Sequence, residues 1–229
     1  MPTIIITGAT SGIGRATAKT FSEAGYTCIL NSRTESDLEE LSTELPGEHI
    51  VVPGDVGEEE TAKKIAGAAR EAEAPITLFN NAGFGEFKPI EDMSKESFES
   101  QFQTNVTGVF LVTKHVLPVL RKHGEGNIIT TSSMAGKNVF ANGTAYASTK
   151  WAVQGFMGCL KKEVRDTHIK VGTILPGSVD TAFFDDAPFG PTENRHLDAE
   201  DVAQTAWFLA NQPRNADIDE ITLRPAKRE

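Results

Sequence analysis

The chain has 229 residues, 39% hydrophobic and 24% charged, the composition of a globular protein long enough to bury a sizeable core. Its 22 basic and 32 acidic residues leave a net charge of −10, which disfavours a nucleic-acid or anionic-membrane surface. No apolar run approaches the ~20 residues of a membrane span, and the scattered histidines and cysteines have no metal-ligand spacing.

The opening "MPTIIITGAT" has no charged n-region or cleavage site, so it reads as a strand rather than a secretory signal. Cys28 and Cys159 stand far apart and fit a reducing compartment, the cytoplasm. Residues 3–7, "TIIIT", form a continuous apolar run, as in a strand buried on both faces. A helical pattern follows over 13–24 and Gly25 closes it. "TCILN" makes a second strand, and Thr34 caps a helix over 35–45 that stops before Pro46. "HIVVP" is a third strand, and the acids after Gly57 open a third helix. "ITLFN" is a fourth strand, followed by a long helical region over 94–123, broken or bent near Asn105. "NIITTSS" predicts a fifth strand, 144–166 a long helix, "KVGTIL" a sixth strand, 199–210 a helix and "EITLRP" a last strand. Strands alternating with helices predict a doubly wound α/β domain spanning 1–229, its seven-stranded sheet mostly parallel and covered on both faces. The one long irregular stretch is a candidate lid, about 181–197.

Two short stretches carry chemistry. "TGATSGIG" places Gly8, Gly12 and Gly14 between the first strand and the first helix. Glycines there let a phosphate approach the backbone, where helix-start amides and the dipole hold an anion. Any tight strand-to-helix turn also favours glycine. "YASTK" sets Tyr146 and Lys150 four residues apart, on one helix face. They form either a solvated pair or a phenol whose pKa a cation lowers.

"TGATSGIG", "NNAG" at 80–83, Asn105, "SS" at 132–133, "YASTK" and "PG" at 176–177, in this order and spacing, resemble the short-chain dehydrogenase/reductase family. The resemblance implies a Rossmann-type dinucleotide site and a catalytic tetrad of Asn105, Ser133, Tyr146 and Lys150. Tyr146 would be the general acid/base. Lys150 and the oxidised nicotinamide would lower its pKa toward working pH, and Lys150 would also hold the nicotinamide ribose. Ser133, thirteen residues before Tyr146, would bind the substrate oxygen, with Ser132 the competitor. Asn105 would bend its helix and hold a water of the proton relay, or bond its own backbone. The cofactor would rest on Gly8, Thr10, Ser11, Gly12, Ile13 and Gly14. Asn81, Ala82 and Gly83 would face the adenine ribose. Asp55 and Val56 would reach the adenine, unless Asp55 only closes a turn. Pro176, Gly177, Val179 and Thr181 would contact the carboxamide. The fold being common to many functions, a non-catalytic nucleotide sensor is the alternative.

In "ILNSRTE", Ser32 stands where NAD-preferring relatives carry an acid, and Arg33 follows it. A guanidinium can chelate the 2′-phosphate of NADP, so NADP(H) is the expected cofactor; Arg33 could instead stack on the adenine. The substrate is expected to be a small carbonyl or hydroxy compound, bound by Ser133, Tyr146 and Phe183. Phe183, Phe184 and Phe189 either line an apolar pocket or fasten the lid. Arg195 either holds a carboxylate or pairs with a nearby acid. The ending "EITLRPAKRE" resembles the branch acting on small 3-hydroxy acids and related aldehydes. The helices over 105–122 and 146–165, apolar around much of their circumference, predict a homodimer or homotetramer.

Overall fold

The computed structural model describes residues 1–184, 190 and 195–226. Its elements alternate as expected: β1 (Thr3–Thr7), α1 (Gly12–Glu23), β2 (Thr27–Ser32), α2 (Glu35–Glu44), β3 (His49–Pro53), α3 (Glu59–Arg70) and β4 (Ile76–Asn80). Then come α4 (Lys95–Phe102), a π-helical turn (Gln103–Gly108), α5 (Val109–His123), β5 (Glu125–Thr131), α6 (Thr144–Val164), β6 (His168–Pro176), α7 (Ala199–Ala210) and β7 (Glu220–Leu223). The sheet runs β3-β2-β1-β4-β5-β6-β7, and all six pairings are parallel.

The pleat explains why β1 is apolar throughout. Ile5 points to the face covered by α3, α5 and α6, while Ile4 and Ile6 point to the face covered by α1, α2 and α7. All three isoleucines are fully buried, each contributing about 1.5–3 kcal/mol of transfer free energy. Winding to both sides of β1 puts the order reversal between β1 and β4. A crevice opens there, beyond the carboxyl ends of the strands.

Two departures from the expected elements bear on that crevice. The bend near Asn105 is a full π-helical turn rather than a break, the widened form common at functional sites. The fifth strand stops at Thr131, not Ser133. Ser133 instead opens a 3₁₀ turn, Met134–Gly136, its side chain accepting a hydrogen bond from the Ala135 amide at 3.1 Å. Both serines thus lie just past the strand end. Thr34 occupies the cap position of α2, but its side chain makes no capping bond.

Candidate active site

The crevice holds a cavity of about 1180 Å³ that runs from the glycine turn to the Tyr146 phenol. At the first end, Gly8 and Gly12 have φ of +66° and +46°, a left-handed conformation that side chains resist. Gly14 is needed for a different reason. A Cβ built on it would stand 1.9 Å from the Gly8 carbonyl oxygen. The turn is fastened from the β4 side. The Thr7 hydroxyl accepts the Asn81 and Ala82 amides at 2.9 and 3.0 Å, and the Asn81 side chain donates to the Thr7 and Gly8 carbonyls.

Ser11 caps α1 in extended geometry without a side-chain bond, and the first turn carries no acid. Its amides and dipole are therefore left for an anion, so this turn fits a dinucleotide pyrophosphate. Ser11, Gly12 and Ile13 line the cavity, as do Ala82, Gly83, Pro176, Gly177, Val179 and Thr181. Arg33 lines the same end.

Other expected contacts stand off the lining among the described residues. Asp55 accepts the Gly57 amide at 2.8 Å, closing its own turn. Val56 is buried beside Gly108. The Ser32 hydroxyl accepts the Thr34 amide, and Thr10 and Gly14 lie outside the lining. Asn81 lines the cavity, yet its side-chain carbonyl receives the Thr131 hydroxyl at 3.1 Å. Asn80, buried, donates to Thr113 and Thr130. Both asparagines thus brace the sheet.

At the other end the tetrad residues come together. Tyr146 and Lys150 project from one face of α6, the ammonium 5.6 Å from the centre of the phenol ring. Ser133 hydrogen-bonds the phenol. The Lys150 ammonium donates to the Thr131 carbonyl at 3.0 Å. Ser132 is buried, its hydroxyl beside Gly136 and without a hydrogen-bond partner, which leaves Ser133 as the serine on the phenol.

Asn105 reaches across rather than to its own backbone. Its side-chain carbonyl accepts the Phe84 amide at 3.0 Å, and its amide donates to the Phe84 carbonyl at 2.8 Å and to Thr149 at 3.1 Å. Thr149 in turn donates to the Tyr146 carbonyl at 2.7 Å. Asn105 therefore ties the loop after β4 to the helix bearing the phenol, close to Gly83 and Lys150.

Lys150 alone does not bring about the expected fall in the phenol's pKa. Burial pushes Tyr146 up to about 12, the Ser133 hydrogen bond opposing it, because a buried phenolate loses its hydration. The Lys150 ammonium does not offset that loss, being itself buried and pushed down to about 8. At neutral pH the phenol is a protonated donor beside a cation. With pH, the ammonium is the first of the two to lose its proton. The rate of any step that draws on the Lys150 charge is expected to be level at neutral pH and to decline as pH rises through about 8. A profile level to pH 9 would show that the charge on Lys150 has no part in the step.

Around the phenol stands an aromatic wall that sequence reasoning found only in Phe183. Phe87 and Phe183 each lie 5.4 Å from the Tyr146 ring, and Phe140 lies 6.0 Å from Phe87. Gly85 makes room for them. A Cβ on it would fall 2.9 Å from both Phe87 and Tyr146. The available signal was position, since "FGEF" follows directly on "NNAG" at a strand's carboxyl end. Of the other lid residues, Phe189 lies outside the described residues, and Arg195 is exposed and off the cavity lining.

Among the described residues no cluster of His, Cys, Asp or Glu could hold a metal, and no helix is long and apolar enough to cross a membrane. An uncharacterized oxidoreductase of Staphylococcus aureus (strain MRSA252) is 31% identical over 223 residues, 96% of each chain. The alcohol dehydrogenase of the archaeon Thermococcus sibiricus, solved with 5-hydroxy-NADP, superposes with a TM-score of 0.90 at 29% identity, covering 100% of this chain and 98% of that one. A 3-ketoacyl-(acyl-carrier-protein) reductase from Brucella melitensis, solved with NADH, gives 0.87 at 26% identity, covering 97% and 96%. The family model for short chain dehydrogenase matches residues 2–188, a span that takes in the glycine turn, the tetrad and the loop after β6. This chain is thus an oxidoreductase of the short-chain dehydrogenase family.

Proposed function

We propose that the chain is an NADPH-dependent reductase of a small carbonyl compound, with Tyr146 as its general acid. The observation that carries this reading is the convergence of Ser133, Tyr146 and Lys150 on a cavity that also contains the glycine turn. The nicotinamide, when bound, supplies the hydride. Ser133 and Tyr146 bind the carbonyl oxygen, and Tyr146 delivers the proton to it as negative charge develops. Lys150 holds positive charge beneath the phenol, and Asn105 keeps the loop after β4 in register with α6. Run backwards, the same groups accept the proton of an alcohol.

The preference for NADPH rests on Arg33, exposed at the cavity's adenine end with no acid at the neighbouring Ser32. Equilibrium titration of the purified protein with each cofactor, followed by nicotinamide fluorescence, tests the reading. NADPH is expected to bind at least tenfold more tightly than NADH. Arg33→Ala should weaken NADPH by about tenfold, the range of a charge-assisted bond at an exposed site, and change NADH by less than threefold. Equal losses would remove the phosphate clamp. Binding of neither cofactor would overturn the function.

The protein is further proposed to form a homodimer or homotetramer through the helices over 105–122 and 146–165, where Phe110 and Trp151 are exposed. A cytoplasmic setting accords with two free cysteines, one buried and one exposed.

A further inference from the structure

The substrate half of the cavity differs in chemistry from the cofactor half. Resting on the reductase reading above, we infer that this half selects a neutral carbonyl compound with an apolar or aryl arm and discriminates against one ending in a carboxylate.

Three observations lead there. First, aromatic rings flank the phenol. Phe87 and Phe183 flank it, and Phe140 extends the wall toward the mouth, where Val139 also lines the cavity. Aryl and alkyl groups gain by leaving water against such a surface, and rings gain further from edge-to-face contact.

Second, no cation at that end is placed for a carboxylate. Among the described residues the lining cations are Arg33, Lys88 and Lys150. Arg33 stands at the opposite end with the glycine turn. Lys150 sits beneath the phenol, donating to Thr131. Lys88 is paired with Glu86, which also accepts from Ser97. Among the described residues, a carboxylate entering here would lose hydration without gaining an unpaired cation.

Third, the field opposes an anion. Glu86 lines the mouth and the chain as a whole carries −10. Of the substrates of the branch that the chain's ending resembles, small 3-hydroxy acids and related aldehydes, the wall formed by the described residues suits the neutral aldehydes better than the acids.

The test uses two methyl ketones with the same two-methylene arm, 4-phenyl-2-butanone and 4-oxopentanoate, assayed with NADPH. The phenyl ketone is expected to show at least tenfold higher kcat/KM. Phe140→Ala should raise its KM by about fivefold or more and leave NADPH affinity within twofold. Equal rates, or preference for 4-oxopentanoate, would overturn the inference, as would a preference that Phe140→Ala leaves intact. If neither ketone turns over, titration of each into the enzyme–NADP⁺ complex by calorimetry decides. Phenyl-ketone binding at least tenfold tighter upholds the pocket's chemistry and counts against the reductase reading alone. Equal or absent binding of both overturns the inference itself.

Discussion

Tyr146→Phe is expected to lower reductive kcat by about 10²–10⁴-fold, the range of a positioned general acid, with little change in NADPH affinity or in folding. The ring would keep its edge contacts with Phe87 and its packing on Phe183, so the loss isolates one hydroxyl. That hydroxyl is a protonated donor at neutral pH, burial having pushed it up to about 12. Removing it would still leave Ser133 its bond with the Ala135 amide, and Lys150 its bond with Thr131. Single-turnover hydride transfer at saturating NADPH reads the step directly. A variant keeping more than a tenth of the wild-type rate would mean that water or Ser133 delivers the proton.

Gly14→Ala is expected to cause the largest structural loss from a single methyl group. Position 14 is helical, where alanine is intrinsically the better residue by ~1 kcal/mol. The added carbon would nevertheless meet the Gly8 carbonyl oxygen at 1.9 Å. Backbone cannot swing aside as a side chain does, so α1 or the turn must move. We expect a cost of about 3 kcal/mol or more, lowering the melting temperature by roughly 6–12 °C in a chain of this size. NADPH affinity should fall with it by more than tenfold, because the same amides face the anion. Gly67→Ala in α3 is the matched control. A Cβ there meets nothing within 4 Å, and the change should stabilise by about 0.5–1 kcal/mol. Equal melting temperatures for the two variants would show that the first turn of α1 yields without cost.

Much of this was legible from residues alone, because the information was local. The run "TIIIT" fitted a strand covered on both faces, and the alternation of patterns predicted a mostly parallel sheet. Asn105 was expected to bend its helix, and a π-helical turn is centred there. What escaped was whatever depended on burial or on distant partners. The direction of the phenol's pKa turned on how deeply α6 is covered, which no i, i+4 spacing conveys. Asn81 lines the cavity as expected, but the bonds that its side chain makes with Thr7, Gly8 and Thr131 join residues far apart in sequence. Phe87 meets Tyr146 and Phe140 meets Phe87, from separate loops without periodicity, so no pattern linked them.

The parallel sheet has a consequence for how this molecule can change. Every group proposed for chemistry lies on or after a strand's carboxyl end or on a helix that abuts it. At the opposite rim, Gly25, Gly47 and Gly124 turn the chain back toward the next strand with φ of +82°, +101° and +83°. The two rims thus divide the labour, one side reacting and the other only returning the chain. Loops on the reactive rim can exchange side chains, and with them the preferred substrate, while the returning rim keeps the architecture unaltered.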